Sequence, residues 1–303
     1  MKKTLSLICT ALLLLCAACS ESSDQPERST RHVVLIGSDG LGAYAFEKAR
    51  IPNIRKLMNG GSYSLQARSV LPSSSAVNWA SMIMGSGPEL HGFTEWGSKT
   101  PELPSRIVGS EGIYPSIFSL VDEQLPGEKK GVSYTWGGIG YLFEKSLVDL
   151  DHNGGSDKET TDKAIDFITK EKPALTFVHF GQPDGAGHTI GHDTPEYYTA
   201  VEEIYEQIGR ILDALESRGM MDETVIILSS DHGGVGKGHG GKTLLEVEIP
   251  WIICGKDIPA RGELTSSIVT YDTGATIARL LGLNQPQFWT GRPVLEALTP
   301  QTE

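Results

Sequence analysis

Val225-Ile226-Ile227-Leu228-Ser229-Ser230-Asp231-His232-Gly233-Gly234-Val235-Gly236-Lys237-Gly238-His239-Gly240-Gly241 passes from an apolar run into a glycine-rich segment carrying an aspartate and two histidines. The unbroken apolar run reads as a strand buried on both faces, as in a parallel sheet. The glycines behind it let the backbone turn sharply and approach a ligand closely. Open α/β sheets bind ligands beyond the carboxyl ends of their strands. Asp231, His232 and His239 are therefore candidate metal ligands.

Two other stretches repeat the pattern. His32-Val33-Val34-Leu35-Ile36-Gly37 ends in Ser38-Asp39-Gly40-Leu41-Gly42, and Leu175-Thr176-Phe177-Val178-His179-Phe180 empties into Gly181-Gln182-Pro183-Asp184-Gly185-Ala186-Gly187-His188. Each cluster alone has a plain alternative, since an aspartate before glycine is a common turn. Together, a parallel sheet brings Asp39, Asp184 with His188, and Asp231 with His232 and His239 to one edge. Carboxylates mixed with imidazoles suit zinc, manganese or iron, and the number of donors allows two ions.

The segments between the strands read as helices. Thr194 caps and Pro195 opens a long one, whose stripe of Val201, Ile204, Tyr205, Ile208, Ile211, Leu212 and Leu215 runs to Gly219. Shorter ones are expected at 51–58, 161–170 and 270–283. Strands alternating with helices predict an α/β fold, a mostly parallel sheet sandwiched by helices. Leu71-Pro72-Ser73-Ser74-Ser75 leads from a loop into a helix. A serine there caps the helix, yet three in a row cannot all cap, and a helix N-terminus also welcomes an anionic phosphoryl group. Residues 97–155 are less regular, with a helix expected at 116–124 and a strand at 131–136, and read as insertion-like material walling a substrate pocket, with Trp136, Tyr141 and Phe143 as wall or core. Residues 32–303 are expected to form a single domain.

The formal net charge is -12. An acidic surface releases no counterions from a nucleic-acid polymer, so that partner class is not expected. An anionic substrate would need bound cations to attract it. Lys2, Lys3 and the apolar run Leu5 to Ala18 read as a signal peptide, residues 1–18, too short to span a bilayer. Leu15-Cys16-Ala17-Ala18-Cys19-Ser20 resembles a bacterial lipoprotein signal with Cys19 as the lipid-bearing first residue, followed by a disordered tether to Arg31. The expected location is the bacterial cell envelope, with the lipid as the only contact with the membrane. Cys254 is the one cysteine left beyond that point, which excludes a disulfide framework.

Asp39-Gly40, Pro72-Ser73-Ser74-Ser75-Ala76-Val77-Asn78, Leu90-His91-Gly92, Asp184-Gly185-Ala186-Gly187-His188 and Ser230-Asp231-His232-Gly233 together resemble the alkaline phosphatase superfamily, in its type I phosphodiesterase/nucleotide pyrophosphatase branch. The resemblance implies two divalent metal ions, expected to be zinc. One would be held by Asp184, His188 and His239, the other by Asp39, Asp231, His232 and the oxygen of Ser75. It further implies that Ser75, three residues before Asn78, is the nucleophile of a phosphoseryl mechanism acting on a small phosphate ester. Trp96 stands where that branch usually has an asparagine, and serine replaces its commoner threonine. The sulfatase motif Cys/Ser-x-Pro-x-Arg is absent. A phosphomonoesterase, an arylsulfatase-like or phosphonate hydrolase, and an inactive metal-binding lipoprotein are the competing readings.

Overall fold

The computed structural model describes residues 28–299. The signal peptide, Cys19 and most of the tether lie outside the described residues. Eight strands form one sheet: β1 (His32–Ser38), β2 (Gly61–Arg68), β3 (Lys130–Tyr134), β4 (Leu150–Asn153), β5 (Leu175–Phe180), β6 (Thr224–Ser229), β7 (Glu248–Gly255) and β8 (Gly262–Glu263), in the order β4-β3-β5-β1-β6-β7-β2-β8. All neighbours are parallel except where β7 meets β6 and β2. The chain is an α/β protein of the expected kind.

The apolar runs in β1 and β6 each supply two cores, because successive side chains point to opposite faces. Val33, Leu35, Val225 and Ile227 face one core with the helices Ser75–Met84, Ile117–Gln124 and Asp272–Leu280. Val34, Ile36, Ile226 and Leu228 face the other, against the helices Pro52–Asn59, Asp157–Glu171 and Pro195–Ser217. The long helix starts as its sequence dictates, with the Thr194 hydroxyl accepting from the Tyr197 amide.

Two expectations are corrected. Residues 97–155 are not merely inserted material. They contribute β3 and β4, and β3 pairs in register with central β5. β3 answers to the strand expected at 131–136, whereas β4 is short, carries no apolar run and lacks the signal that marks β1, β5 and β6. The tether also ends earlier than Arg31. The Ser29 and Thr30 amides donate to the Leu280 carbonyl, Arg31 donates to Glu223, and Arg28 pairs with Glu128 at 2.9 Å.

The register levels the ends of the three central strands. Ser38 lies opposite Phe180, and Gly37 opposite Ser229. Gly37 also sets the depth of the buried helix Ser75–Met84. A β-carbon there would lie 2.4 Å from the ring of Trp79, which occupies that space. Gly37→Ala is expected to lower unfolding stability by about 1–3 kcal/mol through overpacking. A urea midpoint equal to that of the wild type would show that the helix does not depend on this contact.

Candidate metal centre

The loops beyond β1, β5 and β6 are stitched to one another before any ion is considered. The Asp184 amide donates to the Asp39 carbonyl at 3.0 Å. Gly40 donates to Asp231 Oδ1 at 3.1 Å and Leu41 to Ser230 Oγ at 3.0 Å. Buried Tyr197, from the long helix, accepts from Gly42 and donates to the Gly40 carbonyl. These bonds bring Asp39, Asp184 and Asp231 to one place.

Imidazoles complete two clusters, one of Asp184, His188 and His239 and one of Asp39, Asp184 and His232, each with donor atoms mutually within 4.8 Å. Asp184 belongs to both. Asp231 reaches the second cluster through His232, with Oδ2 3.1 Å from Nε2. The expected trio of Asp39, Asp231 and His232 therefore has Asp184 in its midst as well. The Ser75 hydroxyl is 3.2 Å from His232 Nε2. All seven residues singled out in the sequence meet here.

The three histidines share one tautomer. Nδ1 of His188, His232 and His239 bonds to the carbonyls of Lys237, Gly233 and Ser73, at 2.9, 2.8 and 3.1 Å. A carbonyl only accepts, so Nδ1 carries the proton and each Nε2 presents a lone pair to the carboxylates. That is the arrangement of metal-ligating histidines. Burial also holds His232 and His239 below the ordinary imidazole range, which keeps them neutral.

The carboxylates show the complementary strain. Burial, then the charge of Asp39, pushes Asp231 well above the usual range and Asp184 up to about 7. Burial acts on Asp39 too. Hydrogen bonds from His179, first, and Trp79 oppose it, and Asp39 is held below its ordinary value. Asp39 Oδ1, Asp184 Oδ1 and Asp231 Oδ2 are buried without hydrogen-bond partners. Acceptors left unpaired among neutral imidazoles fit divalent cations, which would remove the mutual repulsion.

Three supporting residues escaped the sequence reading. His179 Nε2 donates to Asp39 Oδ2 at 3.1 Å, and Trp79 Nε1 donates to the same oxygen at 3.2 Å. They occupy one oxygen and turn the other inward. His179 lies within an apolar strand and looks like core, and only the register of β5 against β1 brings it to Asp39. His192 is buried with Nε2 3.7 Å from Asp184 Oδ1. Its spacing of four after His188 was the available signal.

The serine loop has three separate tasks. Ser73 Oγ donates to the Gly241 carbonyl and accepts from the Gly240 amide, fastening the glycine segment. Ser74 is the helix N-cap without a side-chain bond, and Ser75 turns toward His232. Buried Asn78 holds the loop in shape, accepting from the Val70 amide and donating to the carbonyls of Val70, Pro72 and Ser74.

A family model for type I phosphodiesterase/nucleotide pyrophosphatase matches residues 33–237. The chain belongs to the type I phosphodiesterase/nucleotide pyrophosphatase family. Ectonucleotide pyrophosphatase/phosphodiesterase family member 1 of Mus musculus is 26% identical over 233 residues, 70% of this chain and 25% of that protein. Bis(5'-adenosyl)-triphosphatase ENPP4 of Bos taurus is 23% identical over 244 residues, 77% of this chain and 53% of that one. The chain thus spans between a quarter and about half of the length of these relatives. Murine ectonucleotide pyrophosphatase/phosphodiesterase 5, in an inactive form with AMP, superposes with a TM-score of 0.71 at 15% identity, covering 89% of this chain and 100% of that one. A 2-O GAG sulfatase gives the same TM-score and identity over 89% of this chain and 74% of its own. Both likenesses concern the fold that this phosphodiesterase-family chain adopts.

Two predictions follow from the ligand geometry. His239→Ala is expected to lose one of two metal equivalents by elemental analysis, and unchanged stoichiometry would remove His239 from the centre. His179→Ala is expected to keep both equivalents at saturation while weakening affinity about 10–100-fold in chelator competition, the usual cost of losing such support. An unaltered competition curve would mean that His179 does not orient Asp39.

Proposed function

We propose that this chain is a two-metal hydrolase of phosphate esters, of the phosphodiesterase/pyrophosphatase kind, with Ser75 as nucleophile. The observation that carries the reading is the position of Ser75. It lies in the first turn of a buried helix, opens into a cavity of 340 Å3 and faces His232 beside both carboxylate-imidazole clusters. Asp184, His188 and His239 would hold one cation, and Asp39, Asp231 and His232 the other, with Asp184 between them. Zinc is the proposed metal, and bound there it would neutralise phosphoryl charge and lower the pKa of a hydroxyl. Ser75 Oγ then bonds to phosphorus as the ester oxygen departs, and water cleaves the phosphoseryl bond to restore the hydroxyl. Asn78 fixes the loop that aims Ser75, and the helix N-terminus favours the phosphoryl oxygens.

The phosphomonoesterase reading is less well supported. A dianionic end calls for further basic groups, and Lys237 and Lys242 are the lysines that flank His239 in sequence. Among the described residues no lysine or arginine borders either cavity at the centre, and Lys237 Nζ donates to the Thr189 carbonyl. Export and lipid attachment through Cys19 belong to the same proposal, with the enzyme held at the cell envelope.

Ser75→Ala is expected to bind both metal ions and to lose turnover by at least about 10³-fold, as removal of an essential nucleophile does. Near-normal rates would sink the assignment. Comparing an aryl phosphate diester, monoester and sulfate on one zinc-loaded preparation checks the reaction class, and fastest cleavage of the monoester or sulfate would overturn it. Cys19→Ala is expected to move the protein from the membrane to the soluble fraction and to abolish labelling by radioactive palmitate. Persistent labelling would refute the anchor.

A further inference from the structure

Trp96 is an unusual side chain for an unusual place. Its indole is 66% exposed, the most of any large hydrophobic group described. Its backbone is nevertheless fixed beside the nucleophile. The Trp96 carbonyl accepts from the Ala76 amide at 3.1 Å, one residue after Ser75. The preceding residue is held as well, with Ser98 Oγ accepting from the Glu95 amide and donating to its carbonyl. A pinned backbone carrying an exposed indole is a preorganised surface.

Trp96 also borders two spaces. The 340 Å3 cavity contains Ser75 and is walled by Trp96 and Trp136, while a second, open trough of 630 Å3 is walled by Trp96, Pro72 and Glu95. His188 and His239 border both. A phosphorus held against those imidazoles therefore has one opening on each side of the indole. A phosphate diester has two substituents to place, and a monoester has one. Apart from Ser75 and the candidate metal ligands, the walls are Trp96, Trp136, Pro72 and glycines with the uncharged Ser74 and Thr135, no cationic side chain borders them among the described residues, and the one further charge is the carboxylate of Glu95. Such walls favour flat uncharged groups and oppose a polyphosphate tail.

We propose that Trp96 divides the substrate site into two subsites, so that the chain selects phosphate diesters bearing uncharged planar rings and discriminates against polyanionic nucleotides. The inference rests on the reading of the centre as one that binds a phosphate diester. Trp96 selects substrate by offering its faces, and Trp136 closes the side nearer Ser75.

Binding tests this without turnover. The zinc-loaded full chain is titrated calorimetrically with diphenyl phosphate, dimethyl phosphate and ATP. Diphenyl phosphate is expected to bind at least about tenfold tighter than dimethyl phosphate, the scale of ring contacts with an aromatic side chain, and tighter than ATP. Trp96→Ala is expected to shrink the diphenyl-to-dimethyl ratio to about threefold or less, and Trp96→Leu, which keeps an apolar side chain, to reduce it as well. Equal affinities in the wild type, tighter binding of ATP, or a ratio unmoved by both variants would overturn the proposal. Ring-selective binding by a protein that cleaves no phosphate ester would refute the hydrolase and retain the subsites. Diester cleavage without ring selectivity would do the reverse.

Discussion

Three carboxylates, buried Asp39 and Asp231 and partly buried Asp184, meet at the end of an apolar sheet, and no lysine or arginine of the described chain borders the cavities there. Placing like charges so close in a region poor in water is costly unless something positive joins them. The protein does not supply it. It supplies hydrogen bonds to the outer oxygens, His179 and Trp79 on Asp39 Oδ2 and Gly40 on Asp231 Oδ1, and leaves the inner oxygens bare. Much of the local structure serves this one arrangement. Level strand ends, loops bonded to one another and neutral histidines with Nδ1 tied to carbonyls all keep unpaired acceptors converging on one space.

The glycine segment shows how little chain this takes. After Asp231 and His232, Val235 and Gly238 exchange backbone hydrogen bonds in a tight reversal, and His239 returns to stack on His232 with ring centroids 3.7 Å apart. The same turn brings the Lys237 carbonyl to His188. One loop thus contributes a ring to each cluster and orients a third ring on another helix. The close approach of His192 has its own requirement. A β-carbon on Gly187 or Gly234 would lie within 2.4 Å of its Nε2, so the imidazole fits only because both neighbours lack side chains.

Legibility in the sequence followed the range of the interactions. β1, β5 and β6 could be read because burial on both faces demands long apolar runs, and the acid-histidine clusters because they stand directly behind those runs. β3 was legible as a short run at 131–136, but β4 was not, since a short edge strand is defined by its partner more than by its own composition. The same holds at the centre. Asp39, Asp184 and Asp231 are conspicuous in glycine-rich loops, whereas His179 is meaningful only through its neighbour across the sheet. The sharing of Asp184 between both clusters is a property of distances, which no spacing along the chain encodes.

Trp96 links these themes. The family's usual asparagine at this position would offer a hydrogen bond to a phosphoryl oxygen, whereas a tryptophan bordering two cavities offers mainly surface. Losing a polar contact at a centre already rich in cation-binding groups need not weaken the hold on phosphorus, because bound cations would dominate that interaction. What changes is the selection of everything attached to phosphorus. With Glu95 and Trp96 at the trough and Trp96 and Trp136 at the cavity, the proposed subsites would repel added charge and reward flat apolar area. On the proposed reading, the candidate metal ligands would keep phosphate-ester chemistry while a single tryptophan, fixed through its carbonyl to the residue after Ser75, would set which diesters enter.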